Sequence, residues 1–439
     1  MEKFISLFEK YMIPLTSALD RSKIFTALRE AMLLTIPVII VGSFALIFSN
    51  IPFLDELAPG VNQYLQTFFS HVFPVTLGIL AILVLVGIST NYAKLNDVDP
   101  VYGLITALIS FLTITLFETE TSGTQNGEVI ENITVQNVIP TNVLGAEGIF
   151  TAILVAFISV KIHAFVIQKN FTIKMPSSVP PNVSKSFTSL VPMIITVLFF
   201  LIIRNIIVLT PFDSLHVMIY TVITEPLTAL GNNVFSILFL TFVQQVLWFV
   251  GIHGTSILNA VWGPVEQTMT GANLAAFQAG EPLPYILTQP FREVYGVGGA
   301  QGILAAIVAT MIVRRSKQMR TVSRLSITPG LFNIQEPFHF GAPTFLNPIL
   351  FIPYVFIPVI QVGLAYVAVI IGFAPVPVTL VPWTTPIILS GLLSTDFNIM
   401  GAVLQLILFA LAVVLWIPFI KTVDRGYLHE EQENKEDDS

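Results

Sequence analysis

Long apolar runs separated by short polar breaks dominate the chain. The runs cover 31–50, 72–90, 101–117, 147–168, 187–209, 233–252, 297–313, 347–373 and 398–420. A membrane-crossing helix needs about 20 mostly apolar residues, so each run is a candidate crossing. Pro37, Pro74 and Pro192 mark kinks or first turns. Ahead of the first run, residues 1–30 mix charge with apolar residues, and Phe4, Ile5, Phe8, Tyr11 and Met12 recur at helical spacing. That pattern fits an amphipathic helix at the inner membrane surface, and equally a soluble helix packed on the protein. No apolar core precedes position 31, so a cleavable signal peptide is not expected. The last residues, 429–439 (HEEQENKEDDS), read as an acidic, disordered, solubilising tail.

Lys and Arg in short loops orient the crossings, because cytoplasmic loops carry the excess. Five precede residue 31, namely Lys3, Lys10, Arg21, Lys23 and Arg29. Loop 51–71 has none and holds Asp55 and Glu56. Loop 91–100 has Lys94. Loop 118–141 has none and holds Glu118, Glu120, Glu128 and Glu131. Loop 169–186 has Lys169, Lys174 and Lys185. The alternation puts the N-terminus in the cytoplasm and the chain outside near residue 211. Arg314, Arg315, Lys317, Arg320 and Arg324 form the densest basic loop, and Lys421 and Arg425 follow the last run. Both must lie inside, which requires one further crossing hidden in the polar, Gly- and Pro-broken stretch 253–296. Ten crossings with both termini inside is the consistent count. The expected fold class is all-α, with re-entrant segments in the C-terminal half.

Composition agrees. By length alone, 439 residues suit two or three soluble domains. Hydrophobic residues make up 54% and charged residues 11%, against roughly 25% charged in soluble domains. Most of the surface therefore does not face water, and disorder, collagen and a secreted disulfide scaffold are excluded. The net charge is −7 and no basic stripe exists to hold nucleic acid. Cysteine is absent, which removes disulfides, thiolate metal sites and cysteine nucleophiles. No metal and no cofactor is expected.

Polar side chains at membrane depth cost free energy unless satisfied, and usually line a cavity or pathway. Two stretches concentrate them. The first runs from Trp248 to Ser256 (WFVGIHGTS) and on to Asn259, Trp262, Gly263, Pro264 and Glu266. Gly251 and Gly254 flank His253 and let the backbone bend there. The second is Thr328–Pro343 (TPGLFNIQEPFHFGAP), with Asn333, Gln335, Glu336 and His339 set between prolines. Proline disfavours helix at the residue before it, so Glu336 falls at a break. Non-helical backbone at this depth requires protein or a water-filled cavity around it, and such broken segments point to a transporter's substrate site. A sugar suits these residues. Asn259, His253, Asn333, Gln335 and Glu336 offer hydrogen bonds to hydroxyls, His339 stands beside them, and Trp262, Trp383, Tyr295 and Phe338 offer flat faces. Each has an ordinary reading too: a histidine joining helices, or an interfacial tryptophan anchor. Arg292 and Glu293 are expected to pair with each other or with Glu281. His71 and His163 read as structural, and Arg204 is unassigned.

Four motifs in order, Val179–Phe187 (VPPNVSKSF), Gly251–Gly254 (GIHG), Phe332–Pro337 (FNIQEP) and Pro382–Pro386 (PWTTP), resemble enzyme IIC of the bacterial phosphotransferase system, in its lactose/cellobiose/diacetylchitobiose branch. The resemblance covers nearly the whole chain. It implies a surface helix over 1–30, a five-helix dimerising scaffold over 31–210, and a substrate domain over 211–428. That domain would carry two re-entrant hairpins and move as a rigid body to carry sugar inward across the plasma membrane. It implies that His253 and Glu336 hold the hydroxyl that becomes phosphorylated. Gln335 stands where the family pattern has Asn, and Phe338-His339 replaces a usually apolar pair; both bear on which sugar is taken.

Phosphoryl transfer depends mainly on positioning and charge stabilisation. A carboxylate and an imidazole within hydrogen-bond reach suit the attacking hydroxyl, with Glu336 as base and His253 orienting the hydroxyl. The donor the resemblance implies is a phosphocysteine on enzyme IIB. With no cysteine here, IIB is expected as a separate cytoplasmic protein docking near 314–324, which favours cellobiose or diacetylchitobiose. The expected partners are a disaccharide, phosphorylated IIB, a second copy of the chain and the lipid membrane. The rival reading is an ion-coupled sugar or drug transporter using Glu336 as its proton or sodium site.

Overall fold

The computed structural model describes residues 21–49, 51, 54–125, 128–176, 178–296, 303–342, 344 and 346–437. The surface helix expected over residues 1–30 falls outside these up to residue 20. From Lys23 onward the chain is already inside the first long helix.

The apolar runs become helices because a backbone in hydrocarbon must satisfy its own polar groups. In the N-terminal half these are α1 (Lys23–Ser49), α2 (Pro59–Phe69), α3 (Leu80–Leu95), α4 (Pro100–Ile114), α5 (Ile149–Gln168) and α6 (Pro181–Ile207). Local chemistry sets their starts. Asp99 caps α4, its carboxylate accepting the Val101 N–H at 3.1 Å, and Pro100 takes the first turn. One core joins α1, α3, α4 and α5 through Leu46, Leu80, Leu85, Phe111 and Ile149. Buried hydroxyls inside it close onto their own helices: Ser89 Oγ donates to the Leu85 carbonyl at 2.6 Å, and Thr106 Oγ1 to the Tyr102 carbonyl at 2.7 Å.

The C-terminal half begins with α7 (Leu215–Gly231), which contains a π-helical turn at Tyr220–Thr224. It meets α8 (Val234–Phe249) at a bend of 75°. Then come α9 (Gly254–Ala279), α10 (Gln289–Tyr295), α11 (Ile303–Val313), α12 (Lys317–Leu331), α13 (Glu336–Gly341), α14 (Pro348–Ile370), α15 (Leu389–Ser394) and α16 (Ile399–Asp437). A second core forms where α8, α11, α14 and α16 pack together. Asn273 stitches the return from α9 to α10, accepting the Tyr285 N–H at 3.0 Å and donating to its carbonyl at 2.7 Å.

The halves meet along α1 and α9. Gly263 lies so close to Met32, and Gly271 to Ala146, that a Cβ on Gly271 would stand 2.6 Å from the Ala146 Cβ. Gln267 Nε2 donates across this contact to Thr35 Oγ1 at 2.8 Å, and the Leu380 N–H donates to Ser43 Oγ at 3.1 Å.

Among the described residues, six helices are long and apolar enough to cross a membrane, or seven when the bent α7–α8 pair counts as one span. Two expected crossings appear as the shorter apolar helices α4 and α11. The hidden stretch 253–296 contains α9, whose buried face carries Glu266, Gln267 and Asn273.

Two expectations need correction. The fold is mostly helical but not all-α. Loop 118–141 contains an antiparallel hairpin, β1 (Glu118–Gln125) with β2 (Glu128–Gln136), in the register Glu118↔Gln136 and Glu120↔Thr134 with an irregularity between Thr121 and Gly123. The β-branched residues Val129, Ile130, Ile133, Thr134 and Val135 favour strand, a signal that the acidic residues hide. The acidic tail is also not disordered over the described residues, since α16 runs to Asp437. Glu431 Oε1 accepts the Lys317 and Gln318 N–H groups at 2.7 and 3.1 Å, and His429 pairs with Glu433 one turn on. The tail thus completes the N-terminus of the basic helix α12.

Candidate functional site

The site begins where α8 ends. Gly251, at φ +81°, takes a left-handed turn closed to most side chains and reverses the chain. His253 follows as the N-cap of α9. Its Nδ1 accepts the Ser256 N–H at 3.2 Å and lies 2.9 Å from Ser256 Oγ. Because Nδ1 is the acceptor, the neutral ring carries its proton on Nε2. Trp248 lies 4.3 Å from the His253 ring, centroid to centroid. The Trp248 indole N–H and Gln244 Nε2 both donate to Thr255 Oγ1 at 3.1 Å, which fixes both side chains.

The opposite wall comes from the turn between α12 and α13. Asn333 sits at φ +63°, a conformation that asparagine tolerates. Its Nδ2 donates to the carbonyls of Trp383 and Thr385 at 2.5 and 3.3 Å, tying the PWTTP segment to this turn. Its Oδ1 is buried without a hydrogen-bond partner. His339 is buried, with Nδ1 2.6 Å from Thr344 Oγ1 and Nε2 3.2 Å from Gln335 Oε1. It holds Gln335 from behind. Glu336 opens α13 directly after Gln335; its side chain lies outside the described residues.

A third wall is α10. Arg292 and Glu266 of α9 form a bidentate pair at 2.7 and 2.9 Å, both almost fully buried. Gln289 Nε2 donates to Glu293 Oε1 at 2.8 Å. The expected pairing of Arg292 with Glu293 or Glu281 is therefore replaced by one with Glu266, set by the packing of α10 on α9.

These walls enclose a cavity of about 370 Å³, within the roughly 300–1,000 Å³ typical of small-molecule sites. His253, Asn259, Asn333, Gln335, His339 and Trp383 all line it. Trp262 does not. It faces a side cavity of about 10 Å³ with Thr241, Glu266 and Arg292, where its indole N–H has no partner. That space holds about one water. Tyr295 and Phe338, also read as possible sugar-stacking faces, are fully buried in the cores instead. Sequence reasoning missed Gln244, Gln289, Arg292 and Glu293 as lining residues, and gave Trp248 no role. Arg292 and Glu293 had a signal, two adjacent charges in a chain with few, whereas Gln244 lay hidden in the apolar run 233–252.

Among the described residues no group of three His, Asp or Glu could hold a metal ion. The cavity offers amides, an imidazole N–H, a paired guanidinium, a carboxylate and indole faces. That inventory suits a neutral ligand with many hydroxyl groups.

Residues 29–358 match the family described as Phosphotransferase system, EIIC. The oligo-beta-mannoside-specific EIIC component of Bacillus subtilis (strain 168) is 38% identical over 97% of this chain and 96% of its own length. The cellobiose-specific EIIC component of Geobacillus stearothermophilus is 34% identical over 98% and 97%. The crystal structure of the transporter ChbC, the IIC component of the N,N'-diacetylchitobiose-specific phosphotransferase system, superposes with a TM-score of 0.91 at 34% identity, covering 97% of this chain and 99% of that one.

Proposed function

This chain belongs to the phosphotransferase system EIIC family, a multi-pass protein of the bacterial plasma membrane, and on that premise we propose what it carries and how. It takes a β-linked disaccharide, cellobiose or N,N'-diacetylchitobiose, moves it inward and presents its 6-hydroxyl to a separate, phosphorylated enzyme IIB. The observation carrying this reading is the cavity, where His253, Asn333, Gln335 and Trp383 converge from three separate parts of the chain. Relatives of this length serve cellobiose and oligo-beta-mannosides, and a close structural neighbour serves diacetylchitobiose.

In the reaction, the sugar 6-oxygen attacks the phosphorus of a phosphocysteine on IIB, the S–P bond breaks, and thiolate leaves. Glu336 takes the hydroxyl proton. His253, held by Ser256 with its Nε2–H directed away from that bond, orients the attacking oxygen. EIIC supplies position and proton acceptance, while the phosphoryl group comes from IIB. The exposed cations Lys317, Arg320 and Arg324 of α12 lie on the helix that leads into Asn333, and serve as the docking face for IIB. The proposal includes ten crossings with cytoplasmic termini, two re-entrant segments and a homodimer formed through the N-terminal half. Since the chain has no cysteine, single cysteines at the exposed Thr134 and Thr321 report sidedness: an impermeant maleimide should label the first from outside and the second only from inside.

The decisive test is uptake of labelled cellobiose and diacetylchitobiose by membrane vesicles, with and without phosphorylated IIB. Sugar 6-phosphate that requires IIB and falls roughly a hundredfold or more in Glu336→Gln supports the reading, and His253→Ala should fall alongside it. Free sugar accumulating on an ion gradient alone would sink it.

A further inference from the structure

Gln405 lies on α16, away from the cavity and fully buried. Its amide uses all the hydrogen-bonding capacity it has. Oε1 accepts the N–H groups of Ile388 and Gly391 at 2.7 and 3.1 Å, and Nε2 donates to the Val294 carbonyl at 3.1 Å and to Ser390 Oγ at 2.8 Å. Val294 follows Arg292 and Glu293 on α10. Ile388 ends the segment that carries Trp383. One side chain therefore joins two cavity walls by hydrogen bonds, beside the apolar packing of Leu404 and Leu408 on Phe291 and Val294.

The second observation is the backbone at Ile388, φ +71° and ψ −55°. A β-branched residue avoids this region, and a non-glycine residue persists there only where surrounding contacts over-determine it. The contact at hand is the 2.7 Å bond from the Ile388 N–H to Gln405. At the other end of the segment, Asn333 holds the Trp383 and Thr385 carbonyls. The loop is pinned at both ends, and the Gln405 end is bent against its own preference.

We propose that Gln405 is a positioning residue for the carried sugar: it fixes the spacing between the Trp383 wall and the α10 wall, and so sets sugar affinity without touching sugar. This rests on the disaccharide reading above. Losing the bond should let Ile388 relax and Trp383 move off its stacking position, while His253 and Asn333 keep theirs.

The test is calorimetric binding of cellobiose and N,N'-diacetylchitobiose to the purified full-length protein in detergent, with no phosphoryl donor. Gln405→Met, which removes all four bonds at similar size, should raise Kd about tenfold or more. Gln405→Glu, neutral when buried, keeps the shape, an acceptor oxygen and one O–H donor; it should raise Kd about threefold and covers the case that the methionine variant does not fold. Gln405→Met combined with Ile388→Gly should regain at least about threefold over Gln405→Met alone, because glycine needs no clamp at that φ. Calorimetry reads stoichiometry apart from Kd. A residue that only supports folding lowers the binding stoichiometry and leaves Kd unmoved, and that result in both single variants would overturn the proposal. A double variant that binds no better than Gln405→Met also overturns it. Wild-type protein that binds neither sugar overturns the disaccharide reading itself, and this inference with it.

Discussion

The two halves of the molecule bury polar atoms in different ways. In α1, α3 and α4 most of the buried polar groups are hydroxyls of Thr35, Ser89, Thr106 and Thr115, each donating to a carbonyl three or four residues back in its own helix. Others reach further: Ser43 Oγ accepts the Leu380 N–H, Thr35 Oγ1 also accepts from Gln267, Thr106 lies 3.0 Å from His163 of α5, and Thr115 lies 3.1 Å from His216 of α7. After residue 240 buried amides and charges join the hydroxyls and reach other elements: Glu266 to Arg292, Asn333 to Trp383, Gln405 to Ile388, and Asp424 to the Arg315 and Ser316 N–H groups at 2.7 and 3.0 Å. Among the described residues all three fully buried charged side chains, Glu266, Arg292 and Asp424, lie in this second half. A self-satisfied hydroxyl is nearly silent in a membrane helix, since it asks nothing of its neighbours. A buried amide or charge demands a particular neighbour and so fixes tertiary geometry. One half is built to be a dry support, and the other accepts desolvation cost in exchange for a shaped cavity.

The sharpest way to break this comparison is to remove one charge. Arg292→Met leaves Glu266 buried and unpaired, and should lower stability by about 3–5 kcal/mol in thermal unfolding of the detergent-solubilised protein. Replacing both partners with methionine should recover most of it. Ser89→Ala, in the first half, should cost less than about 1 kcal/mol. Equal losses in the two variants would erase the distinction. A medium effect is expected at Asn333. Asn333→Gly keeps the positive φ but releases Trp383 and Thr385, and should weaken sugar binding about tenfold with the unfolding midpoint little changed. The smallest effect belongs to the first half's exposed edge. Lys185 Nζ at 2.9 Å holds the Asp99 carboxyl below its usual pKa of 3.8. The folded protein therefore favours the ionised form, so the stabilisation is complete above that value and fades as pH falls below it. Asp99→Asn should remove less than about 1 kcal/mol at neutral pH, because solvent screens the exposed pair. Stability curves of the two proteins should converge as pH falls below 3.8.

How much of this was legible in the sequence follows the same division. The first half could be read from apolar runs and loop charges, because each helix is specified locally. Two elements escaped: helix α2 within the stretch read as loop 51–71, and the hairpin at 118–136, its strand pattern masked by glutamates. In the second half, His253, Asn333, Gln335, His339 and Trp383 were legible because glycine and proline break the apolar pattern around them. Glu266–Arg292 was not, since 26 residues separate the partners and only the packing of α10 on α9 brings them together. Gln244 and Gln405 were hidden inside runs apolar enough to read as plain crossings. Trp262 was misassigned because it lies one turn beyond Asn259, where the cavity wall closes. The acidic tail looked solvated because its partners, the N–H groups of Lys317 and Gln318, stand more than a hundred residues earlier.

Helix α16 follows every other described element along the chain, yet it finishes parts built long before it. A chain stopped at residue 398 would already possess His253, Asn333, Glu336 and Trp383. It would still lack Gln405 behind the Ile388 turn and both carboxylates, Asp424 and Glu431, at the start of α12. During biogenesis the carrier should therefore pass from an open intermediate to a competent one in a single late step. Truncations anywhere from residue 398 to residue 404 should therefore abolish transport, and quality-control proteases should meet the same exposed turn in each.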